Sequence, residues 1–245
     1  MRYRIVYFLL VLLKALARAF YPIEVQWIGK TPEDPWQDYR LVALLNHTSL
    51  YEVLFAGIVP NKFLWRMARH GIVPIASKTI NRPLAGKLWR LVAGNVVSIS
   101  RERDETWKKV MDSVDPQTMA VLLPEGRMKR VDGCDSFGRP LTVRSGLADL
   151  IEAIPEGKML LGYSQGLHHI HIPDHDSLPR LFQAVRMRLE PVDIAEYRQA
   201  MIERAGGTGR PYVAAVIADI TARRDRYCTS DVGARDEIDV GEESP

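Results

Sequence analysis

Cysteine is scarce in this sequence, with Cys134 and Cys228 the two examples among 245 residues. Two cysteines so far apart form neither a disulfide framework nor a metal-ligand pattern, and they are typical of a reducing compartment. Internal repeats and long low-complexity segments are also lacking. With 47% hydrophobic and 26% charged residues, the chain is long and apolar enough for one sizeable core. We therefore expect one α/β domain with a small N-terminal appendage.

Long apolar runs are lacking as well. The N-terminal segment is the most apolar of the chain, but its uncharged core, Ile5 to Leu13, has only nine residues, whereas a membrane-spanning helix needs about 20. Lys14 and Arg18 interrupt any longer run, and their spacing of four places them on one helical face. A helix with one basic stripe and otherwise Phe, Leu and Val suits the plane of an anionic membrane surface. Residues 1–22 are therefore predicted to form an interfacial amphipathic helix.

Two other interpretations of this segment stay open at the sequence level. A basic start, an apolar stretch and the small residues of Ala15-Leu16-Ala17 are typical of a signal peptide, although Lys14 and Arg18 flank that site and disfavour cleavage. A helix buried in the protein core is the other alternative.

The formal net charge is small, at +3, but the charged residues are unevenly distributed along the chain. Residues 231–245 hold six acids and one base, so the rest of the chain has 32 basic and 24 acidic residues. The polar acidic tail, residues 231–245, is expected to be disordered. The basic body favours an anionic partner, either membrane lipid or a phosphate-bearing substrate. Nucleic acid is disfavoured, because no aromatic residues are interleaved with a basic run and the helix-turn-helix and zinc patterns are absent.

Apolar runs and amphipathic segments alternate along the chain, which favours a layered mixed sheet covered by helices. The predicted strands are IEVQWIG, RLVALLN, KFLWRMA, NVVSIS, MAVLLPEG, KMLLGYS and AVRMRLEPV. After the N-terminal helix, the next predicted helix begins at Ser49. The later predicted helices are RPLAGKLWRLVAG, DETWKKVMDSV, RSGLADLIEAI, IAEYRQAMIERA and RPYVAAVIADITARRDRY.

The first chemically unusual strand end carries Asn46 and His47. Ser49 and Glu52 match a capping box at the start of the next helix. At such a strand-to-helix corner Glu52 could face the His47 ring, fix its tautomer and make the other ring nitrogen a better base. The alternative is that Glu52 only completes the cap and His47 is a turn residue.

A second unusual strand end follows the run MAVLL. Strand ends in α/β sheets are where ligand crevices form. A glycine there lets a ligand approach the backbone, and neighbouring cations can bind phosphate. The residues concerned are Pro124, Glu125, Gly126, Arg127, Lys129 and Arg130.

Together these two segments resemble the glycerolipid acyltransferase family, typified by the PlsC-type 1-acyl-glycerol-3-phosphate acyltransferases. The family pattern has Asn-His, four residues and an acid, here ending at Glu52. It continues with a strand like GNVVSISR, 94–101, then Pro-Glu-Gly, here 124–126, and a basic-Gly helix like 143–154. The resemblance covers about residues 20–195. The chain departs from it with Glu52 where Asp is usual, and with Arg127 directly after Gly126.

The resemblance implies an acyltransferase domain over residues 23–230. Such a domain moves a fatty acyl group from acyl-CoA or acyl-carrier protein to the hydroxyl of a lysophospholipid, by default lysophosphatidate. His47 would be the general base and Glu52 would orient it, with no metal and no tightly held cofactor. The enzyme would lie on the cytoplasmic face of the cell membrane as a peripheral or monotopic protein. Substrate-binding residues would be Asn46, Arg101, Pro124, Glu125, Gly126, Arg127, Lys129 and Arg130.

Three other functions compete with this one. GYSQG, 162–166, matches the Gly-x-Ser-x-Gly pattern of serine esterases, but no histidine lies far enough downstream for that fold's triad order. The segment LHHIHIPDHD could bind a metal through His168 and His175 with Asp174 or Asp176, or through His169 and His171. A noncatalytic membrane-binding module would need only the N-terminal helix.

Overall fold

In a computed structural model of the chain, the residues described are 2–29, 31, 33–81, 95–100, 103–165, 167–172, 175–176 and 178–228. The strands within these ranges are β1 Ile23–Trp27, β2 Tyr39–Leu45, β3 Gly71–Ala76, β4 Asn95–Ile99, β5 Met119–Leu122, β6 Lys158–Ser164 and β7 Val185–Asp193. The α-helices are α1 Arg2–Phe20, α2 Asn61–His70, α3 Ser77–Ile80, α4 Glu105–Asp112, α5 Gly146–Ala153, α6 Ile194–Ala205 and α7 Arg210–Tyr227. A 3₁₀ helix covers Leu50–Gly57.

The strands form one mixed sheet in the order β1-β7-β6-β2-β5-β3-β4. Every neighbouring pair is parallel except β6 and β7, which are antiparallel. The predicted α/β fold with a mixed sheet is therefore confirmed. β2 lies near the middle, between β6 and β5, and is buried on both faces as its continuous apolar run requires.

Helices cover both faces of the sheet. On one face, Leu41, Ala43 and Leu45 of β2 belong to a cluster that includes buried residues of α5, α6 and α7. On the other face, Val42 of β2 packs in a cluster that contains Phe55 of the 3₁₀ helix and residues of the helices α1 and α2. This alternation follows from the two-residue period of a strand. The second face carries the candidate site.

The N-terminal helix α1 is attached to the body by one side. Val6 and Leu10 pack against Leu64 and Ala68 of α2. Among the described residues, no helix is long and apolar enough to cross a bilayer.

The two basic residues predicted to form a stripe on α1 contact the protein itself. Lys14 Nζ donates to Asn61 Oδ1 at 2.8 Å, and Arg18 Nε donates to the Gly57 carbonyl at 2.7 Å. Partial burial, followed by the nearby charge of Arg18, lowers the pKa of Lys14. These two cations therefore bind α1 to the neighbouring helices.

The predicted strand KFLWRMA is wrong, because these residues lie in α2. Phe63, Leu64 and Ala68 are buried on one side of that helix, at the three- and four-residue spacings of a helical face. The strand β3, with the sequence GIVPIA, was not predicted. Its Pro74 disfavours a strand in sequence-based reasoning, but β3 pairs in parallel with β4 and β5.

The other predicted elements are confirmed where the structure describes them. The element after Ser49 is a 3₁₀ helix with a complete capping box. The predicted helix over residues 82–94, the site residue Arg101 and the acidic tail of residues 231–245 all lie outside the described residues.

Candidate active site

The ends of β2 and β5 meet at one edge of the sheet, because these strands are parallel neighbours. Glu125, which follows β5, is 2% exposed and extends across to the segment after β2. Its Oε2 accepts a hydrogen bond from the His47 backbone amide at 2.8 Å, and its Oε1 accepts one from the Asn46 amide at 3.2 Å. The buried carboxylate therefore ties the two strand ends into a single site.

Lys129 and Asn46 add further bonds between the two segments. The Lys129 amide donates to the His47 carbonyl at 2.7 Å, and Lys129 Nζ donates to Asn46 Oδ1 at 3.2 Å. Asn46 Nδ2 donates to the Ser164 carbonyl at 3.0 Å. Asn46 has a φ of 64°, a left-handed conformation that Asn tolerates better than most residues. The backbone on either side of the imidazole is thus held in place.

The side chains of His47 and Glu52 face each other across the strand-to-helix corner. His47 Nδ1 lies 3.1 Å from Glu52 Oε1. The contact is close, but it is not aligned as a standard hydrogen bond. Glu52 Oε1 also accepts the Thr48 and Ser49 amides at 2.8 and 2.9 Å. Glu52 is therefore both the acid of the capping box and the partner of the imidazole.

Several influences act on the pKa of His47. Burial of the ring is the largest single influence and lowers the pKa, while the charge of the Glu52 carboxylate 3.1 Å away and the charge of Glu125 raise it. The net direction is a pKa above the ordinary histidine value. Because Nδ1 faces Glu52, Nε2 is the ring nitrogen left for a substrate.

A cavity of about 1310 Å³ adjoins His47, between the second face of the sheet and the helices that cover it. Its walls are apolar for most of their extent. The sheet contributes Val42, Leu44, Val121, Leu160, Met187 and Leu189, and the helices contribute Leu10, Leu13, Phe55, Phe63 and Met67. The imidazole therefore lies beside a space that an acyl chain can fill.

Basic side chains line the same cavity near the Pro124–Gly126 bend. Arg127 is engaged with Asp135, and its guanidinium lies 5.2 Å from the centre of the Phe137 ring. Lys129 contacts Asn46, as described above. Arg130 lines the cavity with Arg144, which is exposed and has its backbone amide bonded to the Pro124 carbonyl at 2.8 Å. Of these cations, Arg144 at the bend is well placed to meet an entering anion.

Besides Arg144, sequence reasoning missed the part that two further residues play in this region. Arg224 of α7 lies 3.3 Å from Glu125 Oε1 and donates to the Leu141 carbonyl at 3.0 Å. No local pattern marks it, because it is 99 residues from its partner. His171 lines the cavity beside Tyr51, with ring centres 5.1 Å apart. Its sequence context indicates only a candidate metal ligand, and the one local signal for a place in the site is that its partner Tyr51 precedes Glu52.

The Ser164 of GYSQG is a strand residue in this fold. It is 1% exposed and lies at the end of β6, paired with Met187 of β7. A nucleophile elbow instead presents its serine on a sharp exposed turn. Gly166 lies outside the described residues. The placement of Ser164 does not support a serine esterase.

The histidines of residues 168–175 contact several different partners. His168 Nε2 lies 3.0 Å from the Lys129 carbonyl, His169 Nε2 lies 2.7 Å from the Ala184 carbonyl, and His175 contacts Asp176. In the described part of the chain, which omits Asp174, no group of three or more His, Cys, Asp or Glu residues could hold a metal ion.

No protein-family model matches the chain, and no curated protein matches its sequence. Among solved structures, the chain is similar to the crystal structure of the 1-acyl-sn-glycerophosphate acyltransferase PlsC from Thermotoga maritima. The TM-score is 0.51 at 16% sequence identity, over 96% of this chain and 81% of that one. At this identity the likeness shows a shared fold.

Proposed function

We propose that the chain is a glycerolipid-type O-acyltransferase, with its catalytic domain over residues 23–230. The observation that carries the proposal is the His47–Glu52 contact of 3.1 Å in the wall of a large, mainly apolar cavity. The fold shared with a lysophosphatidate acyltransferase supports it. A noncatalytic membrane-binding module would need neither the paired imidazole nor a cavity beside it.

The proposed reaction begins with a hydroxyl group of the acceptor lipid. His47 Nε2 takes the hydroxyl proton, while Glu52 orients the ring and stabilises the imidazolium that forms. The acceptor oxygen attacks the thioester carbonyl carbon of acyl-CoA or acyl-carrier protein. The carbon–sulfur bond then breaks, and the leaving thiolate takes up the proton that His47 had accepted. The substrate supplies the nucleophile, so no serine or cysteine nucleophile, metal or bound cofactor enters the scheme.

Different parts of the cavity suit the two proposed substrates. Its apolar walls suit a fatty acyl chain, and its basic rim suits the phosphate of a lysophospholipid, with lysophosphatidate as the default acceptor. Arg144 joins Lys129 and Arg130 as a candidate phosphate contact. Arg101 keeps this role as a prediction from the family resemblance, while Arg127 is already engaged by Asp135.

Residues Asn46, Pro124, Glu125 and Gly126 are proposed to shape the acceptor pocket rather than to react. Glu125 does so by fixing the backbone of His47. Gly126 has a φ of 65°, a left-handed conformation that glycine adopts without strain.

Both proposed substrates have long apolar chains, so the enzyme is proposed to work at an anionic membrane surface as a peripheral protein on the cytoplasmic face. The helix α1 suits that role, because its residues Leu10 and Leu13 line the cavity and other apolar residues of the helix are exposed.

The test is an assay of the purified chain in detergent micelles, with labelled acyl-CoA and a panel of lysophospholipids and lipid-like alcohols. We expect acyl transfer to a phosphate-bearing lysolipid, and loss of that activity in the His47→Ala variant. Transfer to no acceptor, with either acyl-CoA or acyl-carrier protein as the donor, would overturn the proposal. Labelling of Ser164 by a fluorophosphonate would favour an esterase instead.

A further inference from the structure

One face of α1 is apolar and exposed to solvent. Ile5, Phe8, Leu12, Leu16 and Phe20 are 60%, 66%, 47%, 46% and 37% exposed. They recur every three or four residues, which places them on a single side of the helix. We call these five residues the outer stripe. Lys14 lies on the opposite side and contacts α2, so the helix is attached by one side and presents the other.

A second exposed apolar element adjoins the end of this helix. In the segment of residues 178–182, Leu178, Leu181 and Phe182 are 78%, 46% and 67% exposed. The Phe182 amide donates to the Phe20 carbonyl at 2.9 Å, and the two phenyl rings lie 6.1 Å apart. The segment and the outer stripe therefore adjoin each other at the contact between Phe20 and Phe182.

The backbone of Phe182 is in an unfavourable conformation. Its φ is 62°, in the left-handed region that bulky residues rarely adopt. The hydrogen bond to Phe20 holds it there while the ring remains largely in water. Strained residues of this kind are concentrated where a structure has a function for them. Here the strain has one visible result, which is to direct a phenyl ring outward beside Phe20.

The charges around this surface are mainly positive. The helix α1 contains no acidic residue, and Arg2 and Arg4 are exposed at its start. Arg180 lies within the second element at 49% exposure, 3.7 Å from Asp176. Glu24 nearby is paired with Arg186 at 2.8 Å. An apolar surface with arginines at both ends is complementary to a bilayer of anionic lipid, in which the phosphates meet the cations and the acyl chains meet the rings.

We propose that residues 178–182 are a second membrane-inserting element, which enters the same leaflet as the outer stripe of α1. The proposal rests on the membrane association included in the proposed function. The second element would fix how the protein is oriented on the bilayer. A protein bound to the bilayer by one helix alone could rotate about the axis of that helix. Two inserted elements that are connected to each other would prevent this rotation.

The test measures binding of the full chain to vesicles by sedimentation, with phosphatidylcholine vesicles that contain or lack about one quarter phosphatidylglycerol. Phe182→Asn is the informative variant, because Asn is polar and accepts the left-handed backbone, so folding should be preserved. Phe182→Leu is the matched control, since it keeps an apolar side chain in the same conformation. We expect Phe182→Asn to bind anionic vesicles about tenfold more weakly than the wild type and Phe182→Leu to bind nearly as well as the wild type. The double variant Leu178→Asn/Leu181→Asn should weaken binding further.

Wild-type affinity in both polar variants would overturn the proposal, as would equal binding to vesicles with and without phosphatidylglycerol. A dimer in analytical ultracentrifugation that Phe182→Asn dissociates, with vesicle binding unchanged, would assign the surface to a second copy and also overturn it. Vesicle binding requires no turnover. Binding that depends on Phe182 in a protein without acyltransferase activity would leave this inference standing and refute the proposed function instead.

Discussion

The guanidinium of Arg224 lies 3.3 Å from the Glu125 carboxylate, whose two oxygens hold the backbone amides of Asn46 and His47. The Arg224 and Glu125 side chains are 13% and 1% exposed. The last described helix is thereby connected to His47, the proposed general base, through one buried carboxylate. Arg224 is not among the described residues that line the cavity, so we expect it to act on His47 by positioning rather than by touching substrate.

Loss of Arg224 should destabilise the protein and misplace His47. Arg224→Met leaves a buried carboxylate without its cation, which typically costs about 3–5 kcal/mol. Denaturant unfolding measures this cost, and we expect the double variant Glu125→Gln/Arg224→Met to recover part of it. For acyl transfer below the melting temperature, we expect kcat to fall with little change in KM. A fall in stability with an unchanged kcat would show that the pair only supports the fold.

Removal of the imidazole should abolish acyl transfer while the protein stays folded. His47→Ala removes the proposed base, a loss of about 10²–10⁴-fold in kcat. Glu52 keeps its bonds to the Thr48 and Ser49 amides, so the circular dichroism spectrum should match that of the wild type. Near-wild-type activity in this variant would exclude His47 as the base.

The rate should depend on pH through His47. Its pKa is raised above the histidine value of 6.5, and a base must be neutral, so kcat/KM should fall as the pH decreases through a value above 6.5. Glu52→Gln removes the largest contribution that raises this pKa and leaves the effect of burial, so the midpoint should move to lower pH.

The maximum rate of Glu52→Gln should also fall, because the ring loses the carboxylate that orients it. Ser49→Ala is the matched control. It removes the hydroxyl that accepts the Tyr51 amide but keeps the carboxylate, so the midpoint of its pH profile should match that of the wild type. An identical shift in both variants would assign the effect to the helix cap.

Arg144 should affect phosphate-bearing acceptors selectively. Arg144→Ala removes an exposed cation at the cavity rim, and we expect KM for a lysophospholipid with a terminal phosphate to rise about tenfold, in line with the loss of one charge-assisted hydrogen bond. KM for an uncharged lipid alcohol should be unchanged. Equal effects on both acceptors would mean that Arg144 does not bind the phosphate.

The N-terminal cations illustrate a limit of sequence-based prediction. The spacing of Lys14 and Arg18 correctly places them on one side of a helix, but it does not say what that side contacts. Both bind the neighbouring helices, and the exposed side is apolar. The partner of each side depends on how α1 packs, which is a long-range property.

The sequence by itself determined most elements of secondary structure. It also determined that the His47–Glu52 segment and the Pro124–Gly126 bend each follow a buried strand. The period of its apolar residues, its capping box and its breaking residues are local signals, and they are confirmed for β2, β5, β6 and the start of the 3₁₀ helix. The signal was ambiguous in KFLWRMA, where a short apolar run suits either a strand or a helix.

Only the tertiary structure decided which side chains meet. Glu125 bonds to backbone amides 78 and 79 residues away, and Arg224 contacts it from 99 residues away. It also decided that Arg127 is engaged by Asp135 and that Phe182 lies beside Phe20. The physical reason is that strand order and helix packing set these distances, and both arise from burial of the whole core rather than from any local pattern.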